Sequence, residues 1–253
     1  MSLPRKCWIV IALLLTACGA VVAQELDTTA LLRRVDEVAS VDESDFTAVT
    51  TVISQDPEEG TERTVVRLHR RDRQDLFLIL IREPEIQRGQ GYLRVQDGLW
   101  AYDPESRRFT YSSMRESFQG TDARNSDFEA ARFARDYEVV SYGSGTLGQY
   151  DVWILEVEGT NEEVTYPYRT LWVTRDESPL VLKAEDYSLS RRLVRTSYYP
   201  QYTRVGESFV ASRILLVDEL VDGKRTQISL EDISLSDLAD EVFTKAYVER
   251  ENR

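Results

Sequence analysis

Few side chains in this 253-residue chain have types and spacing suited to covalent chemistry. The single histidine, His69, lies in Val65-Val66-Arg67-Leu68-His69-Arg70-Arg71, where strand alternation puts Val65, Arg67, His69 and Arg71 on one face. Arginines on that face predict a solvated imidazole rather than a general base. A Ser-His-Asp triad would need this histidine, and no Gly-x-Ser-x-Gly elbow accompanies it. Gly143-Ser144-Gly145-Thr146-Leu147-Gly148 matches a dinucleotide fingerprint, but that site needs a helix directly after it. Gln149 onward alternates as a strand, so the glycines are expected in a loose hairpin connection. Glu156, Glu158, Glu162 and Glu163 lack calcium-loop spacing and read as a solvated strand edge and turn. These patterns predict a protein that is not an enzyme, with no catalytic residue, metal or cofactor.

One segment does carry a chemical signature. Leu15-Thr16-Ala17-Cys18 has the pattern cut by lipoprotein signal peptidase, which leaves the cysteine to be lipidated. Val21-Val22-Ala23 before Gln24 instead suits ordinary signal peptidase. Arg5 and Lys6, the apolar run Cys7 to Leu15 and the small residues to Ala23 form the three parts of a secretory signal. The run is shorter than the ~20 apolar residues that span a bilayer. Residues 1–23 are therefore expected to be a signal peptide and residues 24–253 one domain in the periplasm. A cut at Cys18 would anchor that domain to a membrane, but Gly19 to Asp27 lacks the Ser/Gly-rich spacer that an anchored domain needs. The cut after Ala23 is thus favoured, with only transient membrane contact.

Cys7 and Cys18 both fall in the leader, so the domain is expected to have neither a disulfide nor a thiol nucleophile, and must rely on its core. An apolar content of 42% can supply one. The net charge of −13, more negative still without Arg5 and Lys6, repels nucleic-acid phosphates and excludes them as partners.

The elements that must position any site are mostly strands. Asp27 can cap a helix over residues 27–39, with Leu31, Leu32, Val35 and Val38 on one face. From Phe46 the apolar period switches to two. Strands are expected at 46–54, 62–70, 75–82, 90–96, 99–103, 108–113, 150–158, 163–174, 179–187, 191–202, 207–218 and 225–233. Asp97-Gly98, Asp103-Pro104 and Asp222-Gly223 join neighbours through hairpin-length turns, so the sheet should be antiparallel. Residues 114–136 lack alternation, with a short helix expected from Asp127 to Arg135. Another is expected near 236–246. The fold class is mainly β (α+β): one large curved antiparallel sheet forming an incomplete β-barrel, with helices as plug or lid.

Such a sheet, with few helices to cover it, suits an apolar cavity. Trp100 and Tyr111, and Tyr102 and Phe109, face each other across one hairpin, while Trp153 shares a face with Leu155. The residues from Leu76 to Ile81 are all apolar, so that strand should be buried on both faces. Candidate cavity residues are Leu78, Leu80, Trp100, Tyr102, Phe109, Tyr111, Trp153, Leu155 and Trp172, with Phe128 and Phe133 as the lid.

Several segments in order resemble the outer-membrane lipoprotein-sorting, LolA-like periplasmic carriers. They are Ala30-Leu31-Leu32-Arg33-Arg34-Val35-Asp36-Glu37, Gly98-Leu99-Trp100-Ala101-Tyr102-Asp103-Pro104, Asn125-Ser126-Asp127-Phe128, Tyr150-Asp151-Val152-Trp153-Ile154-Leu155-Glu156, Leu171-Trp172-Val173 and Val242-Phe243-Thr244-Lys245-Ala246. The resemblance implies a curved barrel with a helical lid, binding lipid-modified proteins or similar amphiphiles without catalysis, and often an inner-membrane exporter as partner. Asn125 departs from the glycine expected before Ser-Asp-Phe, so the lid segment should start differently. The expected function is carriage of the acyl chains of lipoproteins or other hydrophobic cargo towards the outer membrane. The alternative is a receptor or envelope sensor lipid-anchored at Cys18, acting through protein contacts.

Overall fold

The computed structural model describes residues 26–95 and 98–251. The expected signal peptide, its two candidate cleavage points, Cys18 and Asp97 lie outside them.

The chain opens with helix α1 (Thr28–Ala39), whose first turn is capped as expected: Asp27 Oδ1 accepts from the Ala30 N–H at 2.9 Å. Its buried stripe is Leu32, Val35 and Val38. Among the described residues thirteen strands follow in one antiparallel sheet. The first six are β1 (Phe46–Asp56), β2 (Gly60–Arg71), β3 (Leu76–Glu83), β4 (Gly91–Val95), β5 (Gly98–Asp103) and β6 (Arg108–Ser112). After a crossing segment over residues 113–136 come β7 (Tyr137–Leu147), β8 (Tyr150–Gly159), β9 (Tyr168–Thr174), β10 (Val181–Tyr187), β11 (Leu193–Val205), β12 (Ser208–Asp218) and β13 (Arg225–Ser234). The order across the sheet is β6-β5-β4-β3-β2-β1-β13-β12-β11-β10-β9-β8-β7. The sheet curves without closing, as the mainly β reading expected, and its two edges, β6 and β7, are consecutive in sequence.

Two departures have local causes. β7 was not expected, because most of its residues are exposed and no buried face imprints a period of two. Gly143 and Gly145 lie inside it rather than in a loose connection. Gly148, at φ +61°, makes the tight turn to β8. The closing helix α3 (Lys245–Glu251) begins later than expected, after a 3-10 turn at Asp240–Phe243.

The crossing segment holds a 3-10 turn at Asn125–Phe128 and the short helix α2 (Phe133–Asp136) in place of one helix from Asp127 to Arg135. It lies with α1 against the inner face of the sheet. Phe118 and Phe128 pack with Phe46, Leu68, Phe77, Ile79 and Ile228 in the larger core. Leu32, Val35 and Phe133 pack with Leu155, Leu171 and Val173 in a second. A third cluster occupies the outer face, where Val242, Phe243 and Val248 cover Leu78, Leu80 and Leu93. β3 is therefore buried on both faces: Phe77, Ile79 and Ile81 point inward, and Leu78 and Leu80 outward.

Candidate functional site

Between the inner face of the sheet and the segments laid across it is a cavity of about 1120 Å³. Strand alternation builds its floor. Leu68 of β2, Val210, Ile214 and Leu216 of β12, and Ile228 and Leu230 of β13 all present to the same side. Val35 of α1, Met114, Phe128 and Phe133 form the roof.

The roof is held down by polar groups that also line the cavity. Arg195 of β11 donates from both terminal nitrogens to Asp127, at 2.7 and 3.0 Å, and from Nε to Asp186 at 2.8 Å. Arg169 of β9 donates to the other oxygen of Asp186 at 2.6 Å. Burial pushes the Asp186 carboxyl up, but the two guanidinium charges outweigh it and hold the group below the usual carboxylate range. Asp127 also accepts from the Arg124 N–H at 2.7 Å, so one carboxylate shapes the 3-10 turn and clamps it to the sheet. Tyr166 lies beneath this network, with the Arg195 guanidinium 4.7 Å from its ring centre and its carbonyl accepting from the Tyr137 hydroxyl at 3.0 Å.

Two further contacts fix the crossing segment. Asp36 of α1 accepts from the N–H groups of Phe133 and Ala134, both at 2.8 Å. Burial raises its carboxyl to about 6 despite those two bonds. Asn125, where the family resemblance leads one to expect glycine, is fully buried. Its Nδ2 donates to the Ser113 carbonyl at 2.8 Å and to Ser112 Oγ at 3.4 Å, tying the start of the 3-10 turn to the end of β6.

The expected site residues divide among three places. Phe128 and Phe133 line the cavity, while Tyr111, 70% exposed, meets only its rim and turns its ring edge-on to that of Trp100 on the outer face. Leu155 and Trp153 belong to the cluster under α1 instead. Leu155 is fully buried there, and Trp153 is partly covered by the Arg175 guanidinium at 4.2 Å. Leu78, Leu80, Tyr102 and Phe109 lie on the outer face beneath the C-terminal segment. Trp100 shares that face under Lys245 Nζ at 3.3 Å, and Trp172 is covered by Lys183 Nζ at 4.3 Å. The cause is strand parity: in β5 and β9 the inward positions belong to Leu99, Leu171 and Val173, so the neighbouring tryptophans face out. The floor residues of β12 and β13 were absent from the candidates, although their alternating Val, Ile and Leu carried the signal.

His69 is half-buried rather than solvated. Its Nδ1 lies 3.0 Å from Thr47 Oγ1, and burial, then the charges of Arg67 and Arg82, lower its pKa to about 4. Among the described residues no group of histidine and carboxylate side chains has the arrangement of a metal site, and no helix is long and apolar enough to cross a membrane.

A family model described as that of an uncharacterized protein matches residues 73–250. No curated protein matches the chain. Among solved structures, a LolA superfamily protein from Nitrosomonas europaea is similar at 26% identity, covering 86% of this chain and 97% of that one with a TM-score of 0.75. An outer membrane lipoprotein-sorting protein domain from Vibrio parahaemolyticus shares the fold at 19% identity, with coverage of 87% and 97% and a TM-score of 0.75. A DUF1329 family protein from Desulfovibrio piger does so at 21% identity, with coverage of 87% and 97% and a TM-score of 0.76. The chain belongs to the family of that model, which matches more than half of it, and it has the fold of the LolA superfamily and outer-membrane lipoprotein-sorting structures.

Proposed function

We propose that this chain is a non-catalytic periplasmic carrier that holds the acyl chains of lipid-modified proteins, or of related amphiphiles, in its inner cavity. The observation that carries the reading is the cavity itself: about 1120 Å³, floored by aliphatic side chains and roofed by a segment that side-chain contacts clamp to the sheet and to α1. Ligand pockets generally span about 300–1,000 Å³, so this space exceeds the need of most small molecules. An acyl chain burying about a dozen methylenes at ~0.8 kcal/mol each supplies roughly 10 kcal/mol gross, enough to bind without a specific polar contact. Phe128 and Phe133 act as the lid, an inner-membrane exporter loads the cargo, and delivery is towards the outer membrane.

The test is to produce the protein with its leader, purify it from the periplasm, extract it with organic solvent and analyse the extract by mass spectrometry. Acyl-bearing molecules at near-stoichiometric amounts are expected. An empty extract together with no uptake of a fluorescent fatty acid would overturn the reading. The pattern Leu15-Thr16-Ala17-Cys18 favours a second reading, a receptor anchored at Cys18. Labelled palmitate incorporated by the wild type and lost in Cys18→Ala would support the anchor, and an unlabelled protein would dismiss it.

A further inference from the structure

The sheet ends in two unlike edges. β6 offers five residues, begins with Arg108 and is tied to the crossing segment through Ser112, whose hydroxyl donates to Glu116 at 2.7 Å. β7 offers eleven, most of them exposed, including Val140 at 52% and Tyr142 at 42%. Among the described residues no strand pairs with its outer side. Exposed edges are normally blunted by lysine, proline, bulges or short length. β7 has one bulge, between Val139 and Ser141, but contains no Lys, Arg or Pro and a single charge, Glu138. At Gly143 not even a Cβ would meet an atom within 4 Å.

This unprotected edge begins at the cavity. Arg135 and Asp136 of α2 and Tyr137 of β7 all belong to the cavity wall, and the strand runs outward from there. A molecule with an apolar chain in the cavity and a polypeptide attached to it would leave the wall beside a row of unpaired backbone N–H and C=O groups.

We propose that β7 is the docking edge for the extended polypeptide of an acylated cargo protein, which adds to the sheet as a further strand while its acyl chain fills the cavity. The proposal rests on the carrier reading and narrows the cargo from amphiphiles in general to acylated polypeptides. Recognition through the backbone is tolerant of cargo sequence, because main-chain hydrogen bonds supply the affinity. The near-neutral edge fits a tether of small polar residues. A second copy of this chain fits it less well: it would bring another net charge of −13 to the seam, with Glu156 and Glu158 on the strand next to it.

The test uses the full chain in titration calorimetry with two probes: palmitic acid, and an N-palmitoylated hexapeptide of serine, glycine and asparagine. The wild type is expected to bind the lipopeptide about tenfold more tightly, the surplus of a few main-chain hydrogen bonds over the cost of ordering the peptide. Two variants locate the gain. Gly143→Pro and Ser144→Pro change adjacent residues, whose N–H groups point to opposite sides of the strand. One of them removes an outward donor and should abolish the tenfold gain while leaving palmitate binding and the melting temperature unchanged. The other should lower the melting temperature. Equal affinity of the wild type for both probes, or a gain that survives both prolines, overturns the proposal. A dimer in light scattering that the outward-donor proline dissociates assigns the edge to a second copy and also overturns it. Failure of both probes to bind the wild type overturns the carrier reading itself.

Discussion

Asp36 and Asp45 respond to acid in opposite directions, and both do so through what their carboxyl groups touch. Burial raises Asp36 to about 6, with repulsion from Asp136 adding to it and Arg132 opposing it. A carboxyl that protonates more readily folded than unfolded contributes stability below its unfolded pKa and loses it as pH rises through 6. The melting temperature of wild type minus that of Asp36→Asn should therefore be more favourable at pH 5 than at pH 7, and the reverse order would sink the assignment. Asp45 is held at about 2, first by its hydrogen bonds with Arg71, so its contribution is present above pH 4 and lost as pH falls towards 2. Arg195 acts as a counter-charge for two carboxylates. Replacing it with methionine leaves Asp127 without its guanidinium and Asp186 with Arg169 alone, and urea unfolding should show a loss of about 3–5 kcal/mol. Full retention of stability would mean that the clamp is idle.

The element scale separates what is legible in sequence from what is not. Alternation marks β1, β12 and β13 because each has one buried face, as in the alternately buried β1. It fails for β7, which has none, and it cannot say which face of β5 or β9 looks inward, because Trp100 and Trp172 are as apolar as their inward neighbours. The helix expected near 236–246 has the right apolar spacing, yet its backbone is claimed by the sheet. Leu238 N–H donates to Asp45 at 2.7 Å and its carbonyl accepts from Arg71 at 2.7 Å, so the helix waits until Lys245. Those contacts join residues far apart in sequence and leave no local trace. The resulting C-terminal segment caps the outer face of β3, and Phe243, 3% exposed, is its plug. Phe243→Ala should cost about 3–5 kcal/mol in chemical denaturation. A cost under 1 kcal/mol would show that the outer cluster reseals by itself.

For the whole molecule, the cavity makes stability and binding separable. Ile214 lines the floor but remains partly accessible, so Ile214→Glu should lower fatty-acid affinity at least about tenfold with little change in melting temperature. A parallel fall in both quantities would mean that the floor is ordinary core. The cavity itself was foreseen from a wide sheet with few helices, whereas its walls depended on parity and on long-range ion pairs that only the folded chain displays.

The strand order has a consequence for how the molecule comes into being. β1 to β6 and β7 to β13 are two meanders in which every strand lies beside its predecessor, and β1 with β13 is the one strand pairing that joins distant parts of the described chain. The two halves can each zip locally and early, while the seam between them closes a loop spanning most of the chain, which is a slow step. During synthesis, a chain emerging N-terminus first would hold two unfinished ribbons until β13 arrives. The open inner face would then be sealed, and the cavity created, only in the final moment of folding.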